Sequence, residues 1–434
     1  MIWDHKTHAN ETFYVYDMNM CFTSSLNQFL FPVGPFEIHV LDQIYDIVKI
    51  CQSEGILKFK DGSPLYGILK AILLPPEDHY PYFAHNFGTI EKPDRKYCIC
   101  YSCAKADNMN ACNHSDVKDR AIIVTSSVSE INYGIQKKKY QIIQLCELYS
   151  YKTGAWLFKD FVRSVEETKD SLSDSIMSKF LKAGVNASYG SFIQRNSEDK
   201  HKLCANISEF QNLLLSTDVQ NFDLITEKYL DVCYKNKTPE NSNPFSNHAI
   251  GIHILSYSRM IMDEKIDELK RTFKSAKLFM QNVDCIAFSV NSEEDISKMN
   301  LDNNKIGFLK NEIKDAKEIL SFHALSPHFY NICYINNSGQ EKNLSKVCGF
   351  SLKNSVNSDL LNRELFHHFI SEALNGHKAS ISSTQIRSHR DKDTNELKER
   401  ISKFQLRNNL FKKRVIMKNG LDIITKPFGF TKNM

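Results

Sequence analysis

The sequence predicts an α+β fold, and three stretches carry that prediction. "FYVYDMNMCF" (13–22) alternates Phe13, Val15 and Asp17 with Tyr14 and Tyr16, and its aromatic and β-branched content reads as a strand ending near Asp17. "HAIGIHILSYSRMIMDEKIDELKRTF" (248–273) sets Ile250, Ile254, Ser258, Ile261, Lys265 and Leu269 on one stripe, with Leu255 and Met262 beside it, the spacing of an amphipathic helix. "AKLFMQ" and "CIAFSV" then flank Asn282, Val283 and Asp284, which predicts two short strands and a tight turn in which Asn282 accepts positive φ.

The remaining elements fall around these three. From about Gln28 to Asn132 the chain holds most of its prolines, as in "LLPPEDHYPY", together with a cysteine cluster, which predicts an inserted subdomain with its own turns. "SDSIMSKFLKAGVNASYGSF" (173–192) starts on the helix caps Ser173 and Asp174 and runs helically to a stop at Gly190, so Lys182, Asn186 and Tyr189 share a face at i, i+4 and i+7. No repeat and no long low-complexity segment interrupts the 434 residues, enough for two or three packed units.

Composition narrows the function classes. With 42% hydrophobic and 24% charged residues the chain has the balance of a globular protein rather than a disordered one. No apolar run reaches the roughly 18 residues of a membrane span, and "MIWDHKTHANETF" lacks the layout of a signal peptide, so the expectation is an intracellular protein of nucleus or cytoplasm with no membrane partner. In such a compartment the 12 cysteines are reduced thiols or metal ligands. Charge is uneven: His377 to Met434 carries 14 Lys and Arg against 5 Asp and Glu, a surplus of nine, which leaves the first 376 residues at −5 of the overall +4. That basic end is either a polyanion contact or a solvated tail.

"CICYSCAKADNMNACNHSD" offers Cys100 and Cys103 at C-x2-C spacing and Cys112 and His114 at C-x-H, with Cys98 as a spare. Three thiolates and an imidazole suit tetrahedral Zn²⁺, and a structural zinc would staple a loop too irregular to build its own core. Reduced thiols in a loop are the other reading.

The order of the elements is more telling than any one of them. Asp17 in "DMNMCFTSSL", then Lys182 in "KAGVNASYG", then Asp284 in the hairpin "MQNVDCIAF" resembles the three polymerase motifs of family B DNA polymerases. The resemblance is best to the protein-primed branch of Polinton-type elements, linear plasmids and related viruses. "NKIGFLKNEI" with "ALSPHFYNICYINNSGQEKNLSKVCGFSLK", the stretch "DRAIIVTSSVSEINYGIQKKKYQIIQLCELYSY" and the terminal "FKKRVIMKNGLDIITKPFGF" resemble further segments of that group, so the match runs from about residue 13 to 430.

The resemblance implies a right-hand polymerase with an antiparallel palm sheet, helical fingers and a small basic thumb. It assigns 1–30, 136–172 and 248–325 to the palm, 31–135 to the zinc-stapled insertion, 173–195 to the fingers helix, 196–247 to fingers or insertion, and 326–434 to the thumb and basic C-terminus. Asp17 and Asp284 would be catalytic and hold two Mg²⁺ ions, because phosphoryl transfer to a primer hydroxyl needs carboxylates from separate strands to bridge the metals. Phe22, Lys182, Asn186 and Tyr189 would bind the incoming nucleotide, with Phe22 either under the deoxyribose or plain core. His328, Tyr330, Lys412, Lys413 and Arg414 would meet primer and DNA. The implied partners are DNA template and primer, dNTP and a terminal primer protein.

Several positions depart from the family pattern. Asn282 stands where the third motif has its first Asp, Met20 where the first has Ser, Thr23 where it often has Pro, and His328 where the primer-gripping motif has Lys. No Arg lies one turn before Lys182, where Lys179 could substitute. The first motif begins about 13 residues from Met1, so no 3′ to 5′ exonuclease is expected from this sequence. Two rivals follow: a catalytically inactive relic that binds DNA through its basic end, and a zinc-stapled interaction module.

Overall fold

A computed structural model describes residues 2–51, 55–89, 92–172, 175–193, 200–226, 229–236, 246–299, 301, 305–326, 328–347, 362–390, 397–407, 413–419 and 422–432. Lys412, the helix caps Ser173 and Asp174 and the "GFSLK" stretch lie outside the described residues. The chain divides into two compact units, one of Met1–Val162 with Ser256–Met434 and one of Arg163–Leu255.

The larger unit is built on a four-stranded antiparallel sheet in the order Lys277–Asn282, Cys285–Asn291, Glu11–Met18, Leu309–Asn311. The alternation in Glu11–Met18 decides what each face covers. Tyr16 and Met18 join Ile286, Phe288 and Val290 against Ile261, Met262, Ile266 and Leu269 of the helix His248–Thr272. Phe13 and Val15 take the other face, with Ala287 and Met280, and pack on Trp3, Phe322, Tyr330 and Ile332. Those residues belong to a second sheet, Ile2–Asp4, Ala316–Ser326, Phe329–Asn336 and Glu341–Val347, which the helix Arg363–Leu374 closes with Phe366, Phe369 and Ile370. The sequence boundary at 326 therefore falls within one sheet. Buried on both faces, the central strands hold their register firmly, because a slip of one residue would turn each apolar face to the wrong side.

A third sheet orders Phe31–Val40, Gln141–Ala155, Tyr66–Leu74 and Ile122–Ser127. Gln141–Ala155, within the segment 136–172 that the resemblance gives to the palm, pairs with Phe31–Val40 and Tyr66–Leu74 of the segment 31–135. The helix Val128–Lys138, capped by the Ser127 hydroxyl accepting from the Glu130 N–H, lies on this sheet. The chain end returns to the same core, where Val415, Phe428 and Phe430 are buried with Cys98, Ala104 and Ile122.

The smaller unit carries the helix Ser175–Phe192, which continues through Gly190 because an ordinary helical φ there costs only intrinsic propensity. Its sheet is Lys200–Cys204, Tyr229–Asn236, Thr217–Thr226, beside the helix Ile207–Ser216, where Asn206 and Glu209 form reciprocal caps through the Glu209 and Ala205 N–H groups at 2.9 and 3.1 Å. Among the described residues no helix is long and apolar enough to cross a membrane.

Candidate active site and candidate metal centre

Asp17 lies one residue from the end of a central strand, opposite Cys285 on one neighbour and Lys310 on the other. Asp284 sits in the two-residue turn next to Cys285, and the Met18 N–H donates to its carbonyl at 2.7 Å. The register thus brings two residues 267 positions apart in sequence to adjoining strand ends. The turn residue with positive φ is Val283, at 53°, not Asn282, which instead closes the ladder opposite Cys285. A β-branched residue is held in the left-handed region beside the candidate carboxylate.

After Asp17 the chain reverses through Met20, at φ 52°, into the helix Cys21–Gln28. Backbone bonds pin this reversal: the Asn19 N–H donates to the Phe308 carbonyl at 2.9 Å and the Gly307 N–H to the Asn19 carbonyl at 2.8 Å. Gly307 has φ 82°, and a Cβ there would stand 3.1 Å from the Ser24 Cβ, so glycine permits the approach. Phe22 is half-buried in the first turn of that helix, neither core nor fully exposed.

The groups around the pair report a concentration of negative charge. The Glu312 carboxyl is raised by partial desolvation and then by Asp17 and Asp284, with Lys310 and Lys346 opposing. Burial first, and then the same two aspartates, pushes the Cys21 thiol up to about 12 against a hydrogen bond from Ser258. The Cys285 thiol goes up to about 12 by burial, Asp17, Glu312 and Asp284. The Lys310 ammonium lies 3.1 Å from an Asp17 oxygen. That ammonium is a cation of the protein itself, already drawn to one of the two carboxylates.

Glu312, Lys310 and Lys346 were not singled out from the sequence. Lys310 and Glu312 alternate along "LKNE", and that period of two was the available signal for a shared face. Lys346 stands directly across the ladder from Tyr330. Tyr330 is buried, its phenol raised by burial, Cys285, Glu312 and Asp17, so it faces the carboxylates from the second sheet. His328 is held below its ordinary value by burial and then by Lys346 and Lys413. Both of those lysines thus lie in electrostatic reach of the His328 ring. Arg414, expected on DNA, is engaged within the protein: it donates to the His79 carbonyl at 2.6 Å and the Thr425 hydroxyl at 3.0 Å and stacks over Tyr80 at 5.1 Å. In the smaller unit Lys182 is exposed, with Asn186 and Tyr189 partly exposed, along one face of Ser175–Phe192.

The second centre is local. The ligand atoms of Cys100, Cys103, Cys112 and His114 all lie within 4.8 Å of one another. The three sulfurs stand 3.6, 3.4 and 3.4 Å from His114 Nδ1. A tetrahedral Zn²⁺, with Zn–S about 2.3 Å and Zn–N about 2.0–2.1 Å, separates sulfur from nitrogen by about 3.6 Å. Cys98 is not in the cluster; it bridges to Phe428. Burial pushes the Cys100 thiol up to about 12 and raises Cys103, whereas on Cys112 burial is outweighed by the His114 N–H and ring, which hold that thiol below its ordinary value.

A family model described as DNA polymerase type B, organellar and viral, matches residues 4–272. Phi29 DNA polymerase complexed with primer-template DNA and incoming nucleotide substrates is similar in structure at TM-score 0.55 and 12% identity, over 93% of this chain and 60% of that one. The orthorhombic crystal form of Phi29 DNA polymerase is similar at TM-score 0.50 and 14% identity, over 79% and 52% of the two chains. The chain thus spans between half and two thirds of the length of these solved structures. Their likeness shows the fold, a right-hand polymerase class with helices and antiparallel sheets. No curated protein sequence matches.

Proposed function

The chain belongs to the organellar and viral type B DNA polymerases, and from that premise we propose that it is a template-directed DNA polymerase that adds dNTPs to a primer hydroxyl. The observation that carries the proposal is the convergence of Asp17 and Asp284 on adjoining strand ends, with Glu312 in electrostatic reach of both.

Asp17 and Asp284 would hold two Mg²⁺ ions, which when bound lower the pKa of the primer hydroxyl and neutralise triphosphate charge. Glu312 shares that load from the next strand. By the resemblance, Lys182 would meet the triphosphate as a point charge, Asn186 and Tyr189 the nascent base pair, and Phe22 the deoxyribose. Tyr330, Lys346 and Lys413 position the primer strand beside the carboxylates, with Lys412 extending the same basic segment. A terminal protein would supply the first hydroxyl in replication of a mobile or viral-like element, as in the protein-primed branch. The cysteine and histidine cluster would hold a structural Zn²⁺.

Primer extension by the wild type and by Asp284→Asn tests the proposal. Loss of one such electrostatic contact costs about 10² to 10³ in rate, so the variant should fall by at least that factor while still binding primer-template. Asn282, in the place of a family carboxylate, favours a second reading, a DNA-binding chain without turnover. Absence of extension by either protein, with DNA binding retained, would establish that reading instead.

A further inference from the structure

The thiolate and imidazole cluster is bonded to the far end of the chain. The Phe428 N–H donates to the Tyr97 carbonyl at 3.0 Å, the Ile99 N–H to the Phe428 carbonyl at 2.9 Å, and the Tyr97 N–H to the Lys413 carbonyl at 2.9 Å. Farther round the loop, the Cys112 N–H donates to the Phe430 carbonyl at 2.7 Å. Between these contacts lies Gly429, with φ 84°, where a Cβ would stand 2.8 Å from the Cys100 nitrogen. The C-terminal segment therefore touches the backbone of two of the four ligand residues.

That attachment has unequal support along its length. Phe428 packs in a core with Cys98 and Ala104, and the Lys96 ammonium lies 5.4 Å from its ring centroid. Every residue from 105 to 118, by contrast, is exposed or partly exposed. Ordering such a loop costs backbone entropy at every residue, with little apolar burial to offset it. Cys112 and His114 lie in this stretch, and their approach to Cys100 and Cys103 joins the few ties that return it to the core, the Asn108 N–H on the Cys103 carbonyl at 2.9 Å and the Lys96–Asp107 ion pair at 2.7 Å.

Resting on the zinc reading given above, we propose that the cation at Cys100, Cys103, Cys112 and His114 is a clasp that locks the C-terminal segment 413–432 onto the inserted sheet. The ion fixes the loop, and the loop in turn presents the Cys112 N–H to Phe430 and the Cys100 backbone to Gly429. Linkage makes the effect reciprocal: the docked segment tightens zinc by the same factor that zinc tightens docking.

The test uses the full chain, zinc-loaded and then stripped with a chelator, followed by amide hydrogen exchange. Stripping should speed exchange in 428–432 together with 110–114 by about tenfold or more, within the usual range of coupling between sites. Gly429→Ala, loaded with zinc, should surrender the metal to a chromogenic chelator faster by a similar factor. One equivalent of zinc with exchange in 428–432 unchanged on stripping would overturn the clasp and leave the zinc site standing. Protein that neither retains zinc nor takes it up would overturn both.

Discussion

The carboxylate site and the thiolate cluster lie in one folded unit but are assembled in opposite ways. Asp17 and Asp284 meet because two strands pair in a fixed register, and both strands are buried on two faces by cores that need no metal. Cys100, Cys103, Cys112 and His114 come from 15 consecutive residues, all but Cys100, Cys103 and Ala104 exposed or partly exposed, with a five-residue helix as their longest regular element. In the first case the fold is the cause and the ligand set the result. In the second, the ligand set supplies what the fold lacks. Hard carboxylates crowded together also cost stability until a cation or substrate relieves them, whereas soft thiolates gain their order from the cation itself.

The largest expected effect separates these two roles directly. Cys103→Ser should abolish zinc retention and cost about 4 kcal/mol, the linkage value for a ligand present at 1,000 times its Kd, read by metal analysis and thermal unfolding. Glu312→Gln should retain the fold and shift stability the other way. A carboxyl whose folded value is raised binds its proton more readily in the native state, so its contribution is favourable below the ordinary value of 4.5 and is lost as pH rises through the folded one. The variant should accordingly gain on the wild type as pH rises above about 4.5, by a few tenths of a kcal/mol after solvent screening. A large loss of stability in Glu312→Gln would break the distinction.

A smaller effect tests which cation serves the primer. Lys346, across the ladder from Tyr330, should carry the contact that a neutral His328 does not. Lys346→Ala is expected to weaken primer-template binding about tenfold and to reduce the slope of log Kd against log salt by about 1, measured by fluorescence anisotropy over a salt series. His328→Ala should leave that slope unchanged.

What could be read from the sequence follows the same division between local and distant. The spacing of Cys100, Cys103, Cys112 and His114 was legible because all four ligands sit within one loop, and Cys98 dropped out for a reason no spacing shows, its bridge to Phe428. The strand at Asp17 was legible from period-2 alternation and the hairpin at Asp284 from two strand-forming runs around a tight turn, but their pairing was not, and it was the order of motifs that joined them. Glu312 escaped because "KNE" at a strand end has the composition of a solvated edge. Arg414 was expected on DNA from its place in a basic run; its bond to Thr425 is local, while its bond to the His79 carbonyl depends on the chain returning across 335 residues to an earlier loop. The pairing of Gln141–Ala155 with Phe31–Val40 and Tyr66–Leu74 was likewise hidden, because no local pattern in a strand names its partners so far back in the chain.

The hairpin tip sharpens the comparison at its finest scale, since strain is stored in the region that the fold can support. Asn282 pairs with Cys285, so the turn has two central residues, and the positive φ falls on Val283, which is exposed. A β-branched residue in the left-handed region costs about 1–2 kcal/mol, and asparagine enters that region far more easily. Val283→Asn should therefore raise the unfolding free energy by about 1 kcal/mol, seen as a higher midpoint in thermal or urea unfolding. The packed strands on either side are what hold Val283 in place, whereas the positive φ within the thiolate loop falls on Asp107, a residue type that enters the left-handed region at less cost. If Val283→Asn leaves stability unchanged or lower, Val283 does not keep the left-handed conformation in solution, and Asp284 is positioned by the strand register alone.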